Sequence, residues 1–377
     1  MVSRTGSHPE ITSEGFLTVN FKRLGTIGAI AIAGSILLSS CAANEGTDPE
    51  APVSDLSGTI NGVGASSQGA AQEAWAKEFQ TANTAVTVNY APEGSGAGRE
   101  AFIAGGIGFA GTDSSLKDEE IEGGFAGCVD NAYIEIPTYI SPIAVIFNVE
   151  GVTDLNLDAA TLAKIFKGDI KTWDDAAIVA LNPDATLPSS PITAVHRSDD
   201  SGTTKNFADY LNKVVPEIWT EEAADAFPYG GEAAAKTAGV VSAVTNGVGT
   251  IGYADASAAG DLGVAKIKVG EEFVAYTAEA AAAVVDGSPL VEGREATDLA
   301  IKLDRNTTDP SQYPLVLVSY AIACQEYTEA GTGELVKAYL SYITSAEGQA
   351  VAADAAGAAP LSAELSAEVA TAIEAIK

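Results

Sequence analysis

Short apolar runs alternate with amphipathic segments along most of the chain. The runs rich in β-branched and aromatic residues predict strands at residues 86–90, 107–110, 139–148, 192–196, 249–253 and 315–323. Helical spacing of apolar residues predicts helices between them, at residues 68–81, 98–104, 157–166, 203–211, 239–245 and 333–341. This alternation is typical of an α/β fold with mixed or mainly parallel sheets, and the Ala-rich segment 350–377 predicts one or two closing helices.

The two apolar strands at residues 139–148 and 315–323 bracket the middle of the chain. About 320 residues follow the N-terminal leader and tether described below, a length that usually divides into two domains. A chain that leaves one lobe, builds a second and returns would make these strands the crossovers and leave a ligand cleft between the lobes. The alternative is two unrelated domains joined by a single linker.

The N-terminus has the pattern of an export signal. Lys22 and Arg23 precede an apolar run over residues 24–38, which ends at small residues and Cys41. The run is shorter than the roughly 20 residues of a stable membrane span, so we predict a signal peptide over residues 1–40. Its likeness to a bacterial lipoprotein signal implies cleavage before Cys41 and lipid attachment there; an uncleaved membrane helix is the alternative. Residues 41–55 are polar and acidic and predict a flexible tether.

The chain is strongly acidic, with a formal net charge of −31. Removal of residues 1–40 takes three basic and two acidic residues from totals of 20 and 51, which leaves a net charge of about −32. This charge disfavours nucleic acid and anionic membrane surfaces as partners, because both require clustered Lys and Arg. It does not exclude a bound anion, since charges beyond about 8 to 10 Å are screened by salt while a dry pocket depends on its nearest dipoles.

Cys128 and Cys324 are the cysteines that remain after Cys41. An even pair in an exported chain predicts a disulfide rather than a metal or catalytic site, with two separate buried thiols as the alternative. We expect neither a metal nor a cofactor.

Three Gly- and Ser-rich turns run directly into predicted helices, at residues 62–67, 94–98 and 199–203. The first turn of a helix has unpaired N–H donors and a partial positive charge, and glycine lets an anion approach the backbone. One such turn is more often an ordinary N-cap. Arg197 strengthens the third turn, because a guanidinium fits a tetrahedral oxyanion. Asp199 either pairs with Arg197 at the surface or orients it toward a ligand.

Asp113 lies just beyond the predicted strand at 107–110, where α/β proteins usually place ligands. Phosphate near neutral pH still carries a P–OH group, and a carboxylate can accept its hydrogen bond. Sulfate has no such proton and would meet Asp113 as a second negative charge, a discrimination on the order of several kcal/mol. Asp113 is therefore the candidate selectivity residue, although by itself it has the pattern of an N-cap.

Several of these stretches, taken together, closely resemble the phosphate-binding protein of Pst-type ABC phosphate transporters. The resemblance rests on residues 62–67, on Gly-Ser-Gly at 94–96, on Gly-Thr-Asp at 111–113 and on Arg-Ser-Asp-Asp-Ser-Gly-Thr at 197–203, in this order. Residues 167–175, 181–183 and 249–253 extend it. The similarity spans residues 57–348.

The resemblance implies a two-lobed periplasmic-binding-protein fold of type II that closes over one phosphate. Lobe 1 would comprise residues 56–138 and 306–377, and lobe 2 residues 139–305. Matched position by position, the family's ligands fall on Ser66, Ser67, Ser95, Asp113, Arg197, Ser201, Gly202 and Thr203. The first four belong to lobe 1 and the others to lobe 2, so binding would draw the lobes together. The chain departs from the family at Ser66-Ser67, commonly Thr-Phe, and at Asp200, often glycine.

The same resemblance implies delivery of phosphate to membrane permease subunits. Together with the lipoprotein-like signal it implies a location outside the cytoplasm, anchored by the lipid on Cys41, and we expect a monomer. Other tetrahedral oxyanions are rival ligands, and a surface adhesin that no longer binds is a further alternative. A secreted phosphatase or serine hydrolase fits poorly, because His8 lies in the leader and His196 on a predicted strand beside Arg197. The HExxH, GxSxG and GxxxxGK[ST] motifs are absent.

Overall fold

The computed structural model describes residues 55–377. The predicted signal peptide, Cys41 and all of the predicted tether but its last residue lie outside this range. The strands in the described part are β1 (Gly58–Gly64), β2 (Val86–Ala91), β3 (Phe109–Thr112), β4 (Tyr133–Asn148), β5 (Asn156–Leu157), β6 (Thr193–Arg197), β7 (Glu232–Ala234), β8 (Thr250–Asp255), β9 (Gly263–Val264), β10 (Lys266–Val269), β11 (Glu272–Val274) and β12 (Val316–Cys324).

Helices alternate with these strands. They are α1 (Gly69–Ala82), α2 (Ser95–Ile103), α3 (Asp118–Gly123), α4 (Ala159–Lys167), α5 (Ala176–Leu181), α6 (Gly202–Val214), α7 (Lys236–Asn246), α8 (Ala278–Asp286), α9 (Thr332–Ile343), α10 (Ala346–Ala356) and α11 (Ala363–Glu374). Short 3₁₀ turns add Ser66–Gln68, Val129–Asn131 and Ala256–Ala258. Within residues 55–377, no helix is both long and apolar enough to cross a bilayer.

One mixed sheet runs through the molecule in the order β2-β1-β3-β12-β4-β8-β6-β7, with β9 also paired to β4. Strand β1 lies parallel to β2 and β3, and β6 lies parallel to β7 and β8. Strands β12 and β4 run antiparallel to their neighbours between these two parallel sets. The predicted α/β class with mixed sheets is therefore confirmed.

The long strand β4 joins the two parallel sets. Its residues from Tyr133 to Pro142 pair with β12, and those from Ile143 to Asn148 pair with β8. All of β12 and all of β4 except Asn148 are buried, which explains why both read as continuous apolar runs rather than alternating ones. The two predicted crossover strands thus lie side by side at the middle of the sheet.

The structure corrects the element bounds where tertiary contacts extend a local pattern. Strand β4 begins at Tyr133, six residues before the predicted start, because its first half pairs with β12. Helix α4 begins at Ala159 instead of residue 157, since Asp158 caps it and Asn156–Leu157 pairs with β10. The Ala-rich tail forms α10 and α11, as expected.

Cys128 and Cys324 form a disulfide with a Cα–Cα distance of 5.1 Å, so the predicted pairing is confirmed. It links the segment before β4 to the end of β12 across a sequence separation of 196 residues. The bond therefore ties the chain together at one end of the central strand pair, where Cys324 pairs with Tyr133.

Candidate anion-binding site

The three Gly- and Ser-rich turns lie at strand ends in the structure. Because β1 and β3 are parallel neighbours, the turn after β1 and Asp113 after β3 emerge at the same edge of the sheet. The backbone N–H of Gly94 donates to the carbonyl of Gly64, which brings the start of α2 to the same edge. Strand β6 ends at Arg197 and leads through Ser201, the N-cap residue, into α6. The first turns of α2 and α6 therefore converge on Asp113.

The side chain of Asp113 is 3% exposed and surrounded by hydroxyl groups. Ser67 and Ser319 each donate to its Oδ1 atom at 2.6 Å, and Thr203 donates to Oδ2 at 2.9 Å. Its backbone N–H donates to the hydroxyl oxygen of Ser95 at 3.1 Å. Two of the predicted ligands, Ser67 and Thr203, thus contact the carboxylate, and a third, Ser95, contacts the backbone of the same residue.

Gly202 lets the start of α6 reach Asp113. A Cβ atom at this position would lie 2.6 Å from Cβ of Asp113 and 2.7 Å from Oγ of Ser95. Asn206, one turn later, donates to the carbonyl oxygens of Asp113 and Gly202 at 2.7 and 3.0 Å. Only glycine fits this close contact between α6 and the loop after β3.

Arg197 is buried at the end of β6 and held by Asp199. Its Nε atom donates to Oδ1 of Asp199 at 2.8 Å, and one η-nitrogen donates to Oδ2. Its other η-nitrogen is not part of this pair with Asp199. Asp199 also accepts the backbone N–H of Lys236 at 2.9 Å. Of the two sequence hypotheses for Asp199, the contact with a buried Arg197, 3% exposed, favours orientation of the guanidinium.

Ser66 lies differently from the other predicted ligands. Its hydroxyl is 2.9 Å from the hydroxyl of Thr237 and accepts the backbone N–H of Thr237 at 3.1 Å, so it contacts α7 rather than Asp113. Asp200 is exposed, and its carbonyl accepts the N–H of Gly96. The second acid beside Ser201 therefore lies at an exposed position, where its charge is screened by solvent.

Burial is the largest single influence on the pKa of Asp113 and of Asp199, although the net direction differs between them. Burial raises the pKa of Asp113, while the hydrogen bonds from Ser319, Ser67 and Thr203 and the charge of Arg197 oppose the rise. For Asp199, burial also acts to raise the pKa, but the hydrogen bonds and charge of Arg197 outweigh it and the pKa is lowered. Asp113 is thus an acid whose ionised form depends on its donors.

A second buried cluster joins the two parallel sets of strands next to the site. Nη2 of Arg99 donates to Oδ2 of Asp225 at 2.6 Å, and Ser114 donates to Oδ1 at 2.8 Å. Asp225 also accepts the N–H of Ser201 at its carbonyl oxygen. At the rim, Lys236 forms an ion pair of 2.6 Å with Glu93.

The sequence analysis missed Ser319, Gln68 and Asn206. Ser319 was hidden in the apolar strand β12, where a lone hydroxyl between Val318 and Tyr320 was the available signal. Gln68 has a partner four residues on, Gln72, in an otherwise Ala-rich helix. Polar residues inside apolar elements were therefore the sign of a buried polar network.

Comparison with known proteins adds an independent finding. A family model described as a PBP superfamily domain matches residues 49–347. The phosphate-binding protein PstS 3 of Mycobacterium tuberculosis is 33% identical over 374 residues, which cover 95% of this chain and 100% of that protein. PstS 2 of the same organism is 31% identical over 378 residues, with the same coverage.

Solved structures share the fold. The high-affinity periplasmic phosphate-binding protein PfluDING, bound with phosphate, has a TM-score of 0.67 at 22% identity and matches 83% of this chain and 93% of that one. A phosphate-binding protein from Stenotrophomonas maltophilia has a TM-score of 0.61 at 18% identity, over 84% and 94%. At these identities the likeness concerns the fold alone, and it confirms the expected two-lobed architecture.

Proposed function

This chain belongs to the PBP superfamily and, within it, to the Pst-type phosphate-binding proteins, and from this premise we propose that it captures inorganic phosphate outside the cytoplasm for an ABC importer. The observation that carries the proposal is the buried carboxylate of Asp113, placed among hydroxyl donors at the first turns of α2 and α6. A binding role requires no covalent chemistry, so the protein would act by reversible capture and not as an enzyme.

We propose that the ligand is held by eight residues, and that each supplies a donor or acceptor suited to a tetrahedral oxyanion. They are Ser66, Ser67, Ser95, Asp113, Arg197, Ser201, Gly202 and Thr203. Backbone N–H groups at the helix starts would bind anionic oxygens, and the η-nitrogen of Arg197 that does not pair with Asp199 would add a charge-assisted hydrogen bond. Asp199 supports the site by orienting Arg197.

Asp113 would select the ligand by the proton that the ligand carries. A phosphate species that retains a P–OH group can donate to the carboxylate, whereas sulfate would place two negative charges together in a desolvated pocket. The local donors outweigh the chain's overall charge of −31, because that charge is spread over a screened surface.

Closure of two lobes would complete the site. We propose lobe 1 as residues 56–138 and 306–377 and lobe 2 as residues 139–305. In this division the contact of Thr203 with Asp113 and the contact of Ser66 with Thr237 both span the cleft. A ligand that touches both sides would favour the closed form by its differential affinity.

Residues before the described part suggest how the protein is held at the cell surface. We propose removal of residues 1–40, lipid attachment at Cys41, a tether over residues 41–55, and docking of a monomer to the permease subunits. Intact-mass spectrometry of protein from the membrane fraction should show a lipid-modified N-terminal Cys41. A Cys41→Ser variant should lose the lipid and leave the membrane; retention on the membrane would refute the anchor.

Calorimetric titration of phosphate-free protein with phosphate and then with sulfate tests the function directly. We expect tight one-to-one binding of phosphate and little or no heat with sulfate. Absence of phosphate binding, or equal affinity for sulfate, would overturn the proposal.

A turnover assay distinguishes the proposed binding protein from an enzyme. A chromogenic phosphate ester supplied with divalent metals should give no steady release of product above a buffer control. Sustained release that scales with protein concentration would favour a phosphatase.

A further inference from the structure

A chain of buried hydrogen bonds runs from α9 to Asp113, and its donors all point the same way. Tyr339 donates to Oε1 of Gln72, and Nε2 of Gln72 donates to Oε1 of Gln68, both at 2.8 Å. Nε2 of Gln68 donates to Oγ of Ser319 at 2.5 Å, and Ser319 donates to Oδ1 of Asp113 at 2.6 Å. None of these five side chains is more than 3% exposed.

The direction of this chain is fixed by a backbone carbonyl. The amide nitrogen of Gln68 also donates to the carbonyl oxygen of Tyr320 at 3.3 Å. Because a carbonyl oxygen can only accept, this end of the Gln68 amide is its NH₂ group. Ser319 therefore receives a donor at its oxygen, and its own proton is directed to Asp113.

The arrangement distinguishes the two oxygens of Asp113. Oδ1 accepts from Ser67 and Ser319, and two donors occupy about all the lone-pair sites of a carboxylate oxygen. Oδ2 accepts from Thr203 and keeps a second site. A proton placed on Oδ1 would face two hydroxyl donors, so the hydrogen bonds favour the ionised carboxylate.

We propose that Ser319, oriented by Gln68, is a positioning residue that holds Asp113 as an ionised acceptor and reserves its Oδ2 atom for a proton of the bound oxyanion. The inference rests on the proposed function and deepens it by naming the residues that set the charge and orientation of Asp113. In this arrangement the selection of a proton-bearing oxyanion over fully ionised sulfate depends on Ser319 and Gln68 as well as on Asp113.

Other titratable groups also face Asp113. Arg197, at the end of β6, favours the ionised form, and burial opposes it. Asp255, at the end of β8, is a buried acid whose pKa burial raises to about 6, with the charge of Asp113 contributing to the rise. Tyr90 from β2 is a neutral phenol, because burial and the charge of Asp113 raise its pKa well above 10.0. These three groups are unchanged in the variants below, so differences between variants report Ser319 and Gln68.

The test measures how the preference for phosphate over sulfate depends on pH. Ser319→Ala removes a hydrogen-bond donor to Asp113, and Gln68→Met removes the group that orients the Ser319 hydroxyl. In both variants Asp113 should take up a proton at a higher pH than in wild type. A neutral Asp113 can donate to sulfate. We expect the pH below which sulfate binds to move upward in both variants, and the preference to fall about tenfold near pH 6.

Thr138→Val is the matched control. Thr138 is buried and donates to the carbonyl of Ser319 at 3.2 Å, so the substitution removes a neighbouring hydroxyl without breaking the chain. The pH profile of this control should coincide with that of wild type. An equal shift in the control, or no shift in Ser319→Ala and Gln68→Met, would overturn the positioning role.

A measurement on the wild-type protein tests the ionisation of Asp113 even if a variant does not fold. ¹³C NMR of the Asp113 carboxyl, assigned with Asp113→Asn, should report an ionised group at neutral pH in phosphate-free protein. A neutral carboxyl there would contradict the inference. Wild type that bound no phosphate would instead refute the proposed function, so the two failures are distinguishable.

Discussion

At the scale of single residues, the molecule keeps one acid in an environment that opposes its charge. Asp113 is 3% exposed, and burial raises its pKa. Because its folded pKa lies above the ordinary value, the ionised group destabilises the fold at neutral pH, and this cost is relieved as the pH falls through the folded pKa. A ligand that donates a proton to Asp113 in a hydrogen bond offsets this cost. The buried charge of Asp113 is therefore the source both of the selectivity for such ligands and of the lower stability of the ligand-free fold.

Asp113→Asn should separate these effects. The amide oxygen can keep the bonds from Ser67 and Ser319, while the NH₂ group faces the ligand and can donate to sulfate. We expect the preference for phosphate over sulfate to fall by about a hundredfold in calorimetry. The phosphate-free variant should also melt at a higher temperature than wild type. An unchanged preference would show that Asp113 does not select the ligand.

Arg197→Ala should weaken phosphate binding by about 3 kcal/mol, roughly a hundredfold in Kd, because the buried anion loses its only charged fork among the proposed ligands. The measurement is calorimetric titration with phosphate. Lys266→Ala, which removes an exposed ion pair with Asp154, is a control that should bind normally. An unchanged Kd in Arg197→Ala would place Arg197 outside the site.

At the scale of elements, the site depends on how closely two helix starts approach. Gly96 in α2 donates its N–H to the carbonyl of Asp200, and Gly202 in α6 contacts Asp113 and Ser95. Each helix start can satisfy its N–H groups with an anion only when no side chain intervenes. The glycines of the two turns therefore allow the two helix starts to approach closely, in addition to forming the turns.

Gly202→Ala tests this spacing. The added Cβ would lie 2.6 Å from Cβ of Asp113, so α6 would be displaced from the loop after β3. Calorimetry should show phosphate affinity reduced at least about tenfold. The matched control is Gly230→Ala, where a Cβ meets nothing within 4 Å. Equal affinities in the two variants would argue against close approach as a requirement.

At the scale of the whole molecule, contacts away from the ligand hold the proposed lobes together. Arg99 in lobe 1 and Asp225 in lobe 2 form a buried pair, and Lys236 and Glu93 form a second pair at the rim. Burial acts to raise the pKa of Asp225, but Arg99, Ser114 and the other cations outweigh it and lower the pKa. The pair therefore stabilises closure above the ordinary pKa of 3.8, and this stabilisation is lost as the pH falls through the lower folded value.

Asp225→Asn should accordingly speed phosphate release. We expect the dissociation rate in stopped-flow experiments to rise several-fold at neutral pH with little change in the association rate. The difference from wild type should shrink in acid, as the pH falls through the lowered pKa of wild-type Asp225. Identical release rates at neutral pH would show that this pair does not hold the closed form.

The disulfide should stabilise the fold as a whole. Cys128 and Cys324 close a loop of 196 positions, so their bond restricts the unfolded chain strongly. Reduction should lower the free energy of unfolding by about 2–5 kcal/mol in denaturant titrations. A Cys128→Ala/Cys324→Ala variant should show the same loss and no response to reductant. Equal stability of oxidised and reduced wild type would contradict this expectation.

The residues predicted from sequence were those that local patterns reveal. Gly- and Ser-rich turns at strand ends indicated the stretches that contain Ser67, Ser95 and Thr203, because turn chemistry can be read over a few positions. The family resemblance assigned the individual residues within them. Local patterns do not show where each side chain points. Ser66, for example, lies against Thr237 instead of Asp113. Ser319 was missed because a serine in an apolar strand has no local pattern that marks a site.

What the sequence by itself determined was the α/β alternation, the two buried central strands, the order of the glycine turns and the paired cysteines. Periodicity, turn chemistry and cysteine number are local properties, so they need no coordinates. Only the tertiary structure decided that Ser319, 206 positions from Asp113, donates to it, and that Gln68, 251 positions from Ser319, sets its direction. Contacts between such distant residues arise from strand pairing and packing, which no local pattern along the chain specifies.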